Sequence, residues 1–135
     1  MANYLLDTNH ISPLVTPGHP LRKLIVRHRR IGDTFGIAVP SLAEVIFGIQ
    51  TLPRAEQNLR EWARYEEMFD YYDIDKSDAL DAADLQTKLR KQGWQLDTVD
   101  ALIASIALRY DLTLLTTDND FSAIVELPQE NWLAS

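Results

Sequence analysis

Four acidic residues stand where acids are scarce. Asp7 is the only charged residue between Met1 and Leu21, Glu44 the only one from Thr34 through Pro53, and Asp100 the only one from Thr98 through Leu108. Asp118 follows the apolar stretch 112–115 and the pair Thr116-Thr117. A carboxylate withdrawn from water is costly unless it is paired or bound to metal. Four that converge at about 5 Å repel by roughly 3 kcal/mol per pair at an effective dielectric near 20, so such a cluster stays ionised only against a cation. The chain has no cysteine, which excludes thiolate sites and disulfides. All-oxygen donors select a hard ion, Mg²⁺ or Mn²⁺, that keeps several waters. An ion held this way lowers the pKa of a bound water, and a second can stabilise a leaving oxygen, which suits phosphodiester hydrolysis. No lysine follows a Gly-rich loop, so a P-loop nucleotide site is not supported.

Each acid also has a purely structural account. Asp7 can cap the turn after a first strand. Ser41-x-x-Glu44 matches a capping box, in which the glutamate reaches back to the N-cap amide. Asp100 can sit in a first helical turn because the helix dipole favours an anion there, and Asp118 can be a turn residue. These accounts explain the acids singly but not as a set. Asp120 is a rival of Asp118 for the fourth position and otherwise caps the turn before Phe121. Asp97 is read as the N-cap of the helix that carries Asp100.

The elements that must position these acids follow from patterning. Strands are expected over 4–6, 35–39, 71–74 and 112–115, and helices over about 20–31, 41–50, 53–68, from a Ser77 cap to Gly93, and from Asp97 or Thr98 to about Tyr110. Gly32 and Gly93 fit as C-terminal stops. Strands alternating with helices predict a mainly parallel sheet covered on both faces, with functional residues at the strands' carboxyl ends. The segment 98–108, apolar on nearly every side, reads as a buried helix. Asp7 and Asp118 end strands, while Glu44 and Asp100 lie in first turns of apolar helices. In a parallel sheet those are one edge of the molecule.

The bulk properties bound the rest. The 135 residues, 46% hydrophobic, suit a single domain. The start of the chain lacks the pattern of a signal peptide, and no stretch is long and apolar enough for a membrane span, so a cytoplasmic location is expected. The net charge of −7 is unlike that of a nucleic-acid binder. Its distribution is uneven: Arg22, Lys23, Arg27, Arg29 and Arg30 form a local basic run. That run is either a phosphate-gripping edge or a solvated helix face. The tryptophans read as packing residues, and the three histidines show no spacing suited to a metal or a catalytic base.

Tyr4-Leu5-Leu6-Asp7-Thr8-Asn9, Pro40-Ser41-x-x-Glu44, Asp100-Ala101-Leu102-Ile103-Ala104 and Thr116-Thr117-Asp118-Asn119-Asp120-Phe121 together resemble the PIN-domain family, and within it the VapC toxins of toxin–antitoxin pairs. The likeness spans the whole chain. It implies an α/β/α sandwich over 1–135 and a Mg²⁺- or Mn²⁺-dependent endoribonuclease, with transfer RNA as the expected substrate. It also implies a homodimer neutralised by a VapB-type antitoxin. Position by position, Asp7, Glu44, Asp100 and Asp118 match the family's acids, with Asp7 and Asp100 as the direct metal ligands. Thr8 and Asn9 match the polar pair after the first acid, and Thr116 the hydroxyl that orients it. Two other readings compete: the same scaffold acting as a binding module, and an aspartate-based phosphatase or phospho-acceptor domain. The phosphatase needs a second Asp where Asn9 stands, and the acceptor would use Asp73 or Asp75.

Overall fold

A computed structural model describes residues 1–133. Five strands, β1 (Asn3–Leu6), β2 (Thr34–Ala38), β3 (Asp70–Tyr72), β4 (Thr113–Leu115) and β5 (Gln129–Glu130), form one parallel sheet in the order β3-β2-β1-β4-β5. Helices α1 (Thr8–Ile11), α2 (Pro20–Arg30), α3 (Val39–Thr51), α4 (Ala55–Ala63), α5 (Lys76–Lys91) and α6 (Thr98–Arg109) account for most of the rest.

Strand alternation sorts the core into two halves. Tyr4, Leu6, Phe35, Ile37 and Leu115 pack with Leu21, Ile25, Val45, Ile49 and Trp62 from α2, α3 and α4. Leu5, Ala38 and Leu114 pack on the other face with Ala82, Leu89, Ile103, Ile106 and Ala107 from α5 and α6. The expected three-layer α/β/α sandwich is therefore present, and every strand pair in it is parallel. Helix α6 buries Ala101, Ile103, Ala104, Ser105, Ile106 and Ala107, in keeping with its all-round apolar sequence. Gly36 in β2 is needed for close approach: a Cβ there would overlap the ring of Tyr72 in β3.

Local chemistry moved several element ends. Helix α3 starts at Val39, with Ala38 as N-cap and Pro40 in its first turn, where a missing N–H costs nothing. The Ser41–Glu44 capping box does not form, and the buried Ser41 Oγ has no hydrogen-bond partner. Pro53 ends α3 rather than opening α4, because the residue before a proline avoids helical backbone; Leu52 is extended at ψ 157°. The chain then turns through Arg54 at φ 64°, and α4 runs only to Ala63 before a 3₁₀ turn at Glu66–Met68. Helix α5 is capped by Asp75 rather than Ser77. The Asp75 and Asp78 side chains each accept the other's backbone N–H at 3.0 Å, satisfying two orphan donors at once. Helix α1, the 3₁₀ turn Ser12–Val15 and β5 are additions to the expected elements. Among the described residues no helix is long and apolar enough to cross a membrane.

Candidate metal centre

The strand order reverses between β1 and β4, and ligand sites of open parallel sheets lie at such switch points. Asp7 is the first residue past β1. Its Oδ1 accepts the Thr8 N–H at 2.9 Å, so it does cap α1. Its Oδ2 accepts the Thr116 hydroxyl at 2.8 Å and the Asn9 Nδ2 at 3.1 Å. The Thr116 oxygen in turn accepts the Asp118 N–H at 3.0 Å. One hydroxyl at the end of β4 thus joins the first acid to the loop bearing the last.

Asp100 lies in the first turn of α6, with its N–H donated to the Asp97 carboxylate at 2.8 Å, which makes Asp97 the N-cap as expected. The cap of the loop after β4 is the reverse of the expected one. Asp118 Oδ1 accepts the Asp120 N–H at 2.9 Å and so caps the 3₁₀ turn Asn119–Ala123. Asp120 is left free to join the site, its carbonyl held by the Trp94 indole N–H at 2.9 Å. Carboxylate oxygens of Asp100, Asp118 and Asp120 lie within 4.8 Å of one another. Glu44 stands on the exposed rim, on α3.

The acids lie close enough to shift one another's proton affinities. Burial pushes the Asp7 carboxyl up, with Asp118 adding, while its hydrogen bonds from Thr116, Thr8 and Asn9 oppose. Asp100 is pushed up to about 7, first by burial and then by Asp97, Asp7, Asp118 and Asp120. Glu44 is raised by partial desolvation and by Asp7 and Asp97. Among the described residues no lysine or arginine forms an ion pair with any of these acids. The structure thus brings Asp7, Asp100 and Asp118 together, adds Asp120, and sets Glu44 at the edge. An all-carboxylate donor set with no cationic side chain fits a hard divalent ion such as Mg²⁺ or Mn²⁺.

The basic run is placed elsewhere. Arg22 is not free to bind phosphate: it pairs with Glu61 at 2.9 Å, donates from Nε to the Leu14 carbonyl and stacks on Tyr65. Lys23, Arg27 and Arg30 line, with Arg22 and Tyr65, an open cavity of about 380 Å³. Arg27, Arg29 and Arg30 occupy the last turn of α2, where cations complement the helix dipole. That end of α2 meets the start of β1, where Asp33 binds the Ala2 N–H, and so lies at the amino ends of the strands, the opposite edge from the acids. Asp75 is not free to accept a phosphoryl group: it is engaged by Arg109 at 3.0 Å as well as by its capping role.

One residue of the site went unread in the sequence. His10 is fully buried, and burial pushes its imidazole down to about 4. Its ring bonds Asn9 Oδ1 at 2.7 Å and the Trp132 N–H at 3.0 Å. Metal-ligand spacing does not reveal it; the signal the sequence carries is a histidine three residues after the lone acid of the first twenty-one residues.

Residues 4–127 match the family model of the PIN domain. Ribonuclease VapC2 of Rickettsia felis is 28% identical over 135 residues, covering 96% of this chain and 97% of that protein. The structure of VapBC2 from Rickettsia felis bound to a DNA fragment from their promoter aligns with a TM-score of 0.84 at 26% identity, over 96% of this chain and 98% of that one. VapBC-1 from nontypeable Haemophilus influenzae aligns with a TM-score of 0.77 at 26% identity, over 98% and 99% of the two chains. With the sheet order, the acids at its switch point and a profile covering nearly the whole chain in agreement, this protein belongs to the PIN-domain family.

Proposed function

We propose that the chain is a divalent-metal-dependent endoribonuclease of the VapC kind, acting as the toxin of a toxin–antitoxin pair in the cytoplasm. One observation carries the reading: acids from three separate segments, Asp7 after β1, Asp100 at the start of α6 and Asp118 with Asp120 after β4, meet at the carboxyl ends of β1 and β4, and among the described residues no lysine or arginine is paired with them. Asp7, Asp100 and Asp118 would hold Mg²⁺ or Mn²⁺, with Asp120 and Glu44 flanking. The chemistry a bound ion would supply is a more acidic water for attack on phosphorus and a positive charge to offset the one that builds on the phosphate. The chain's own residues prepare that role. Thr116 and Asn9 fix the Asp7 carboxylate through its Oδ2. Asp97 anchors the first turn of α6 and so the height of Asp100. Glu44, exposed at the rim and raised by partial desolvation and by Asp7 and Asp97, would serve as an acceptor for a proton released there.

Two supports bear on the partners. The similar structures from Rickettsia felis and Haemophilus influenzae are VapBC complexes, which supports a VapB-type antitoxin here. Transfer RNA as substrate and a homodimeric assembly follow from the family likeness. The test is cleavage of transfer RNA by purified protein with Mn²⁺, with EDTA, and with Asp7→Asn or Asp100→Asn. Cleavage only in the metal-loaded, unsubstituted protein is expected. Cleavage that persists in EDTA, or that survives either substitution, overturns the reading.

A further inference from the structure

Between β5 and the first acid runs a hydrogen-bond chain whose donors and acceptors are fixed at every link. The Trp132 backbone N–H can only donate, so the His10 Nε2 it meets at 3.0 Å must be the bare, accepting nitrogen. Burial keeps the ring neutral, and its one proton therefore sits on Nδ1 and is donated to Asn9 Oδ1 at 2.7 Å. The Thr117 N–H donates to the same oxygen at 3.1 Å. With two donors on Oδ1, the Asn9 carboxamide has one orientation, and its Nδ2 points at Asp7 Oδ2, 3.1 Å away. The reverse orientation would set the amide oxygen against the carboxylate and the NH₂ against the Thr117 N–H.

We infer that His10 is a positioning residue: held in its Nδ1–H tautomer by the backbone of the segment after β5, it orients Asn9 and through it the metal-binding Asp7 carboxylate. The inference rests on the metal-nuclease reading above and adds to it a tie between the distant C-terminal segment and the site. Groups that orient a metal ligand are worth about tenfold or more in metal affinity. The ring is inaccessible, with no exposed surface, so His10 does not itself meet substrate.

Two substitutions divide its two bonds. An asparagine side chain places an amide near the Nδ1 position and keeps a donor for Asn9 but does not reach Trp132. A glutamine extends to the Nε2 position and keeps the acceptor for Trp132 but leaves Asn9 Oδ1 without that donor. The experiment is Mn²⁺ titration of the full chain and of H10N and H10Q, read by electron paramagnetic resonance of free Mn²⁺, with thermal unfolding of each variant as the folding control. It is paired with ¹⁵N NMR of the His10 ring in the unsubstituted protein. H10Q is expected to weaken Mn²⁺ binding by about tenfold, H10N to bind within about twofold of the unsubstituted protein, and the ring to show a proton on Nδ1 alone. Equal weakening by both variants, no weakening by H10Q, or a proton on Nε2 overturns the inference and leaves the metal site standing. Absence of saturable Mn²⁺ binding in the unsubstituted protein overturns the metal reading itself, and this inference with it.

Discussion

Asp100→Asn separates the demands of function from those of folding. The Asp100 carboxyl rises from 3.8 to about 7 in the folded chain, with burial the first cause and four neighbouring acids the rest. A raised carboxyl stabilises the fold fully only below its unfolded pKa; that contribution is lost as pH climbs from 3.8 towards 7 and is gone above it. Three pKa units would amount to about 4 kcal/mol, but the side chain is half exposed and water screens it, which reduces the figure to about 1–2 kcal/mol. Asn carries no charge at any of these pH values. The metal-free variant is therefore expected to match the unsubstituted protein at about pH 4 and to exceed it at pH 8 by 1–2 kcal/mol, or about 3–6 °C in melting temperature. Mn²⁺ should reverse the order, since it stabilises the intact acid cluster by binding the folded state and finds a weakened site in the variant. The assay is thermal unfolding by circular dichroism across pH, in EDTA and in Mn²⁺. A variant that is less stable than the unsubstituted protein at pH 8 in EDTA, or a difference that does not change with pH, refutes the argument that the acids are held together against their own repulsion.

Thr116→Val removes the hydroxyl shared by Asp7 and the Asp118 N–H; RNA cleavage should fall about 10- to 100-fold, as measured by initial rates at saturating Mn²⁺. In Asp118→Asn, cleavage should fall further than in Asp120→Asn, because Asp118 faces both Asp7 and Asp100 while Asp120 raises only Asp100; equal losses would count against that ranking. Ser41→Ala should be neutral or slightly stabilising in urea unfolding, since the buried hydroxyl it deletes has no partner. A loss of about 1 kcal/mol would instead mean that Ser41 caps α3.

The same chemistry explains why some of the structure was legible in the sequence and some was not. Apolar runs of strand length separated by helical periodicity needed nothing beyond burial, so β1, β2, β4 and α6 lie close to where patterning places them. Helix starts were misplaced where two local devices competed. Ser41-x-x-Glu44 and Pro40 both mark a helix start, and the proline prevailed because its fixed φ belongs inside the first turn. Ser77 lost to Asp75 because only Asp75 has a reciprocal partner in Asp78. Strand β5 was invisible because two residues carry no period; it exists only as an added edge on β4. The acids were legible through their isolation, a property of the chain. Of their supports, Asn9 and Thr116 were reached only through the family resemblance and His10 not at all, because Thr116 binds Asp7 across 109 positions and Trp132 binds His10 across 122. A sequence read locally shows which groups cannot be left alone in a core; which distant groups accompany them is decided by the sheet order, since only β1 and β4 as neighbours bring Asp7 and Thr116 into contact.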